Sequence, residues 1–345
     1  MTTVDDSAAP RVTVVGATGA VGGTLLELFE ERAPRHRDLR LVASARSAGR
    51  QIRAAGRDHR VHDLADFDFA DTDVAFFAAG AEVSRKWVPP AVAAGALVID
   101  CTPAFRQDKT VPLVVPQVNG ALCGARPPVV ATPDAGTVPL VRVVDAVAAR
   151  WPVHRVVVSS YQPASGAGHL GVEELQEGSR LSLQDPHAVL PTEAFAPALA
   201  FNVLPCSDDA LDEDGFTERE RAMRHECRRV LRRPDLDLTT TCVRVPVAHA
   251  HCATVWVECG RPVDRAELVA LLRSLSGVTV HDGPAAHAPT PLTLGDPDQV
   301  HIGRIRVPGH DPTGFWLWLV ADGLRCGVAL NAVQVLEELV ARRAL

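Results

Sequence analysis

The first 130 residues alternate between short apolar runs and segments with helical hydrophobic spacing. The run Arg11 to Val15 (RVTVV) predicts a buried strand, and the apolar residues between Val21 and Phe29 recur at the spacing of a helix. The remaining elements of this part are predicted at residues 39–43, 74–79 and 96–99 for strands and at about 84–94 for a helix. Strands that alternate with helices in this way predict an α/β domain with a parallel sheet.

The rest of the chain mixes helices with further strand patterns. Residues 217–231 (TERERAMRHECRRVL) carry acids early and arginines late, which suits the dipole of a helix. Residues 184–215 are rich in Pro and Asp and predict a long connection with little regular structure. The other predicted elements are a helix at 138–149, interrupted near its start by Pro139, and strands at 153–159, 238–247, 253–259 and 315–321.

A glycine-rich loop joins the first predicted strand to the first predicted helix. A strand, a glycine turn and a helix in that order direct backbone N–H groups and the helix N-terminus towards a pyrophosphate. The glycines therefore predict a dinucleotide site and not merely a tight turn. The candidate cofactor-binding residues of this loop are Gly16, Thr18, Gly19, Ala20, Val21 and Gly22.

The second predicted strand ends in Ser44, Ala45, Arg46 and Ser47, where an NAD enzyme carries an acid that binds the ribose. No acid occurs there. A guanidinium with two hydroxyls suits a 2′-phosphate instead, so Ser44, Arg46 and Ser47 predict NADP as the cofactor. The alternative is that Arg46 is a solvated loop residue.

Composition narrows the class of protein. The chain has 345 residues, which suits two domains, and its formal net charge of −7 argues against nucleic acid or an anionic membrane as a partner. No apolar run reaches the roughly 18 residues of a membrane span, and the first residues lack the pattern of a signal peptide. We therefore expect a cytoplasmic protein.

The eight cysteines form no C-x-x-C pair and no spaced Cys/His set. In a reducing compartment this pattern predicts free thiols and no metal site.

A turn within Val129 to Val138 (VVATPDAGTV) carries the resemblance to a known family. Together with GATGAVG, YQPASGAG and RVPVAHAHC, it resembles the aspartate-β-semialdehyde dehydrogenase family from about Arg11 to Gln334. The family turn reads close to A-N-P-N-C-S-T, and its Cys forms a thioester with the substrate. Here the turn reads A-T-P-D-A-G-T, so Ala135 falls on the nucleophile and Asp134 on the second Asn.

This resemblance implies a fold and an assembly. It implies an α/β Rossmann-type NADP-binding domain over residues 1–133, completed by a C-terminal helix at 324–345. It also implies an α+β catalytic and dimerisation domain over residues 134–323. A homodimer built through the second domain follows from the same resemblance.

The resemblance also implies the site residues. Gln162 would orient the acyl substrate, and His251 would be the catalytic acid/base, for which histidine suits a proton shuttle near neutral pH. Arg244 would clamp the substrate carboxylate, which needs the geometry of a guanidinium. The other matched residues are Arg106 and Arg229 for phosphate, Glu226 for the substrate amino group, Ser165 and Gly166 beside the nicotinamide, and Asn331 as a further cofactor contact.

Ala135 leaves three interpretations open, because alanine cannot attack a substrate. The first, which we favour, is an NADP-dependent oxidoreductase that acts on a small amino-acid or dicarboxylate-derived aldehyde or acyl substrate and needs no thioester step. The second is a non-catalytic homologue with a binding or regulatory role, and the third is an engineered Cys-to-Ala form of an active enzyme. Changes at Thr132, Asp134 and Gly136 disfavour the third. Cys101 and Cys252 are candidates for a replacement nucleophile, although neither lies in this turn.

Overall fold

The computed structural model describes residues 9–205 and 211–342, which form thirteen strands and eight α-helices. The strands are β1 (Arg11–Val15), β2 (Asp38–Ala43), β3 (Gln51–Ala54), β4 (Arg57–Asp63), β5 (Val74–Phe77), β6 (Leu97–Asp100), β7 (Val129–Ala131), β8 (Val153–Gln162), β9 (Asp237–Arg244), β10 (His251–Cys259), β11 (Val278–His281), β12 (Val300–Arg306) and β13 (Gly314–Ala321). The helices are α1 (Ala20–Arg32), α2 (Ala81–Ala93), α3 (Pro116–Asn119), α4 (Thr137–Arg150), α5 (Gly168–Gln184), α6 (Glu218–Val230), α7 (Arg265–Arg273) and α8 (Leu330–Ala341). Cys206 lies outside the described residues.

The chain divides into two compact units. The first consists of Met1–Asp134 with Gly327–Leu345, and the second of Ala135–Cys326. The first is a Rossmann-type α/β unit, as the strand and helix pattern predicted. Among the described residues, no helix combines the length and apolar character needed to cross a bilayer.

The first unit is built on a seven-stranded sheet in the order β3-β4-β2-β1-β5-β6-β7. All neighbouring pairs are parallel except β3 with β4. The strand order reverses at β1, and in such sheets ligands bind outside the carboxyl ends of the strands at this reversal. Helix α8 packs against α1, α3 and β6, so the C-terminal segment completes this unit.

The second unit is built on a six-stranded mixed sheet in the order β11-β12-β13-β10-β8-β9. Residues 156, 158, 160 and 162 of β8 are buried, and the residues between them are half-buried. Helices α4, α6 and α7 pack on this sheet, which accounts for the buried face. Helix α4 runs unbroken through Pro139, because proline is tolerated in the first turn, where its missing N–H has no helical partner.

The opposite face of this sheet carries half-buried aromatic side chains. The rings of Trp256 and Trp316 lie 5.1 Å apart between centroids, and those of Tyr161 and Trp318 lie 5.7 Å apart. Half-exposed apolar faces of this kind, here with three tryptophans, are typical of surfaces that contact another protein or a ligand.

The strand prediction at residues 238–247 is too long. Strand β9 ends at Arg244, and β10 begins at His251, two residues before the predicted start. The two strands are also not paired with each other, because β8 lies between them in the sheet. The intervening loop is held by Ala164 and Ser165, whose N–H groups donate to Val247 and Ala248.

Candidate active site

The glycine loop of the first unit has the geometry of an anion cradle. Gly16 has a φ of +90°, and a Cβ on it would lie 2.7 Å from the Ala78 carbonyl carbon. A Cβ on Gly22 would lie 2.0 Å from the Gly16 oxygen, so α1 packs closely on the loop. Gly19 is the N-cap of α1 and contributes no side-chain cap. The loop therefore fits a pyrophosphate at the helix N-terminus.

The turn after β2 joins this cradle. The Ser47 N–H donates to the Ser44 carbonyl at 2.8 Å, and the Thr18 hydroxyl donates to the Ser47 hydroxyl at 3.2 Å. Arg46 and Ser44 are exposed in this turn. Because the turn carries a cation and hydroxyls and no acid, it fits an additional phosphate on the ribose.

A buried carboxylate shapes the turn that carries Arg106. Asp100 ends β6, and its carboxylate accepts hydrogen bonds from the hydroxyls of Ser84 at 2.8 Å and Thr102 at 2.9 Å. Burial raises the pKa of Asp100, and the hydrogen bonds from Ser84 and Thr102 oppose that rise. This network holds residues 101–105 as a compact turn, so that Arg106 points back towards the end of β7.

Arg106 is held by backbone and by a carboxylate. Its Nε donates to the Thr132 carbonyl at 2.9 Å, and Nη2 lies 3.4 Å from the Cys101 carbonyl. Nη1 lies 3.5 Å from Oδ2 of Asp134, which forms an ion pair. Arg106 is only 9% exposed. The arginine matched to phosphate binding thus lies against the residue that replaces an asparagine of the family turn.

The sheet register of the second unit brings three predicted site residues into one row. Gln162 of β8 pairs with Arg244 of β9, and Tyr161 pairs with Cys252 of β10, which places His251 opposite Gln162. Side chains at paired positions point to the same face of a sheet. Arg244, Gln162 and His251 therefore form one buried row on the same face of the sheet, although they come from three separate segments.

Small residues surround His251. A Cβ on Gly136 would lie 3.3 Å from His251 Nε2 and 2.9 Å from the Met223 methyl carbon. A Cβ on Gly323 would lie 3.5 Å from His251 Nδ1 and 3.7 Å from the Ala135 Cβ. Ala135 and Gly136 are thus close neighbours of His251 in the second unit, and Met223 fills space that a larger residue 136 would need.

Arg244 is a buried cation with a fixed orientation. Its Nη1 donates to the Pro163 carbonyl at 2.7 Å, and its guanidinium carbon lies 5.5 Å from the centre of the Phe195 ring. A Cβ on Gly166 would lie 2.5 Å from Nη1, so the guanidinium needs glycine at that position. A planar cation held in this way is suited to bind a carboxylate.

Gln162 is the clearest sign of a binding site in the second unit. The side chain is 1% exposed, and neither polar atom of its amide has a hydrogen-bond partner among the described residues. Burying an amide without a partner costs free energy, about 1–3 kcal/mol in protein mutational data. A side chain that carries this cost is more readily explained by a ligand that satisfies it than by packing.

The remaining predicted residues lie in the same two units. Glu226 is buried on α6 one turn after Met223, and Arg229 is half-buried one turn later. Ser165 lies in the short helical turn after β8. In the first unit, Asn331 of α8 donates to the Val114 carbonyl at 3.0 Å, so its amide nitrogen already has a structural partner.

The cysteines near the predicted site are poor nucleophiles. Burial raises the pKa of Cys101 far above its usual value and raises the pKa of Cys252 to about 12. Only the thiolate attacks, so neither thiol is activated. All seven cysteines in the described residues are buried free thiols.

Sequence reasoning missed Met223 and Phe195. Met223 lies in the helix predicted at 217–231 and Phe195 in the connection predicted at 184–215, but neither apolar residue itself matched a motif. The change from Ser to Gly at position 136 was the one available signal, because a lost side chain implies a neighbour that fills the space.

Comparison with known proteins covers both units. Residues 11–124 match the family model described as semialdehyde dehydrogenase, NAD binding domain, and residues 144–326 match semialdehyde dehydrogenase, dimerisation domain. Aspartate-semialdehyde dehydrogenase 2 of Vibrio cholerae is 38% identical over 333 residues, which covers 96% of this chain and 97% of that protein. The aspartate-semialdehyde dehydrogenase of Bacillus subtilis is 36% identical over 336 residues, covering 95% and 97%.

Solved structures agree. The crystal structure of aspartate semialdehyde dehydrogenase II from Vibrio cholerae complexed with ASA has a TM-score of 0.92 at 36% identity, covering 96% of this chain and 98% of that one. The enzyme from Candida albicans with NADP has a TM-score of 0.76 at 20% identity, covering 98% and 100%, which shows the shared fold.

Proposed function

The chain belongs to the aspartate-semialdehyde dehydrogenase family, and from that premise we propose an NADP-dependent oxidoreductase that transfers hydride directly to a carbonyl substrate without a thioester. A nicotinamide cofactor follows from the match of residues 11–124 to the NAD binding domain. The preference for NADP is supported by Arg46 and Ser44, which are exposed in a turn without an acid. The substrate class is a small amino-acid or dicarboxylate-derived aldehyde.

The observation that carries the proposal is the buried row of Arg244, Gln162 and His251 beside Ala135. The residues matched to substrate binding are retained there, although alanine occupies the position matched to the nucleophile. A protein that had lost all ligand binding would gain stability by replacing the partnerless Gln162 amide with an apolar side chain.

Each residue of this row has a chemical task. Arg244 binds the substrate carboxylate through a guanidinium already fixed by Pro163 and Phe195. Gln162 donates to the substrate carbonyl oxygen and orients it. His251 donates a proton to the carbonyl oxygen, and the hydride that turns the aldehyde into an alcohol would come from a reduced nicotinamide when one is bound. Ala135 offers only a methyl group and forms no bond to the carbonyl carbon.

The alternative is a non-catalytic homologue. The ion pair between Arg106 and Asp134 favours it, since a guanidinium matched to the family's phosphate site lies against a carboxylate of the chain itself. Separate measurements of binding and turnover distinguish the two functions. A pseudoenzyme binds NADPH without oxidising it.

The test is NADPH oxidation with aspartate β-semialdehyde and other short aldehydes that carry a carboxylate. We expect turnover that needs no phosphate, and a loss in Arg244→Ala that appears chiefly in KM, because a carboxylate clamp contributes to binding in ground and transition states alike. NADPH binding by calorimetry with no turnover on any of these substrates would favour the non-catalytic alternative. Arg155→Ala, an exposed arginine of the same sheet, is the matched control.

We further propose that the chain forms a homodimer through the aromatic face of the second unit. The match of residues 144–326 to a dimerisation domain supports this assembly. Trp256, Trp316 and Trp318 are half-buried there and would be covered by a second copy. Sedimentation of the Trp316→Glu variant, which places a charge on that face, should show a monomer.

A further inference from the structure

The side chains around Arg106 bear on which substrates the protein can accept. Three donors of the Arg106 guanidinium face acceptors of the chain itself, namely the carbonyls of Thr132 and Cys101 and the Asp134 carboxylate. The two carbonyls fix the plane of the guanidinium. Oδ2 of Asp134 lies 3.5 Å from Nη1 of the guanidinium. At that position an arginine can otherwise donate hydrogen bonds to an external anion.

The burial of the pair determines how much this contact matters. The Arg106 side chain is 11% exposed and that of Asp134 is 23% exposed, so the pair is screened less than a surface ion pair. Because the two charges are opposite and close together, their electrostatic effects on a third ion largely cancel. A phosphate that approached Arg106 would meet the negative charge of Asp134 at a similar distance.

We propose that Asp134 takes the place of a substrate phosphate on Arg106, so that the site accepts only carbonyl substrates without a phosphate group. This inference rests on the proposed function for the identity of the site. It assigns a role in specificity to Asp134, which directly precedes Ala135 in the chain. The loss of the nucleophile and the loss of phosphate binding then belong to one change, because an acyl phosphate is useful only to an enzyme that forms an acyl intermediate.

The test measures the binding of inorganic phosphate by calorimetry, with no substrate and no turnover. We expect Asp134→Asn, which keeps the size of the side chain and removes its charge, to bind phosphate at least tenfold more tightly than the unmodified chain, or about 1.4 kcal/mol. Adding Arg106→Gln to that variant should abolish the gain. This double variant separates the Arg106 site from any phosphate bound at the glycine loop.

Two further variants make the result decisive. Asp58→Asn changes the net charge by the same amount but lies on β4, and four strands separate β4 from β7 in the sheet. This variant should leave phosphate binding unchanged. Asp134→Ser removes the charge with a smaller side chain and serves if Asp134→Asn fails to fold, as judged by its melting temperature. Tight phosphate binding by the unmodified chain, or no gain in either Asp134 variant, would overturn the proposal.

Failure of this proposal is distinguishable from failure of the proposed function. Phosphate affinity is measured without NADPH, and NADPH oxidation is measured without phosphate. An active reductase whose phosphate affinity is the same in the unmodified chain and in the Asp134→Asn variant would refute only the role of Asp134.

Discussion

Replacing Gln162 by methionine should make the protein more stable and less able to bind its ligand. The amide of Gln162 is buried at 1% exposure, and neither of its polar atoms has a partner among the described residues. Methionine has a similar length and flexibility but no group that requires a hydrogen bond. The substitution therefore removes an unfavourable burial without leaving a cavity.

The magnitude follows from the cost of burying an amide. Mutational data place that cost at about 1–3 kcal/mol, and a value of about 2 kcal/mol is reasonable for one side chain. Units of 150–250 residues shift in Tm by about 2–4 °C per kcal/mol, so the transition of the second unit should rise by about 4–8 °C. The same variant should lose most of the thermal shift produced by aspartate β-semialdehyde, because it lacks the amide that we propose orients the carbonyl.

Differential scanning calorimetry with and without aspartate β-semialdehyde measures both effects. Ser160→Ala is the control, because the Ser160 hydroxyl is also buried and partnerless among the described residues and lies two residues earlier on the same face of β8. It should stabilise the protein by a smaller amount and leave the ligand shift intact. A lower Tm in Gln162→Met would mean that the amide makes a stabilising interaction within the protein, and the assignment of Gln162 to substrate would be wrong.

Three other predictions concern the cofactor, the nucleophile position and pH. Arg46→Ala should weaken NADP(H) binding by about 1.5–3 kcal/mol and leave NAD(H) binding unchanged by calorimetry, and equal losses for both would refute a 2′-phosphate contact. The unmodified chain should show no useful phosphate-dependent oxidation of aspartate β-semialdehyde. Strong activity should appear only when Ala135→Cys is combined with Asp134→Asn. Strong activity in the unmodified chain would contradict the assignment of Ala135 to the nucleophile position. Burial, and then the nearby His301, lower the pKa of His281, so the unfolded chain binds the proton more readily and stability should fall as pH drops below about 6.5. The slope of Tm between about pH 8 and pH 5.5 should be shallower in His281→Gln, and an unchanged slope would assign the effect to other groups.

The first unit was largely predictable because its signals are local. Buried parallel strands are apolar runs, and the glycine loop follows one of them directly in the chain. The hairpin of β3 and β4 was missed, because its residues are mostly polar or charged and it lies at the edge of the sheet. Helix α5 was missed as well, since three of its four buried residues are Gly171, Glu174 and Gly178, which give no apolar signal in the sequence.

The second unit was predicted less well because its order in space differs from its order in the chain. The strands at 238–247 and 253–259 read as consecutive elements, and the sequence contains no sign that β8 inserts between them. Their ends were also misplaced at the loop that carries Val245 to Ala250. That loop is held by backbone hydrogen bonds to the turn after β8, which no local pattern reveals.

The sequence by itself determined the family and the residue types available for binding, and it led to the prediction that Ala135 holds the nucleophile position, because these depend on motifs of adjacent residues. Tertiary structure alone decided which of those residues meet. Register across three strands places Arg244, Gln162 and His251 in one row, and a turn held by Asp100 brings Arg106 against Asp134. Such contacts join residues that are distant in the chain. Their geometry depends on how strands pair and how turns close, and the local sequence pattern does not specify either.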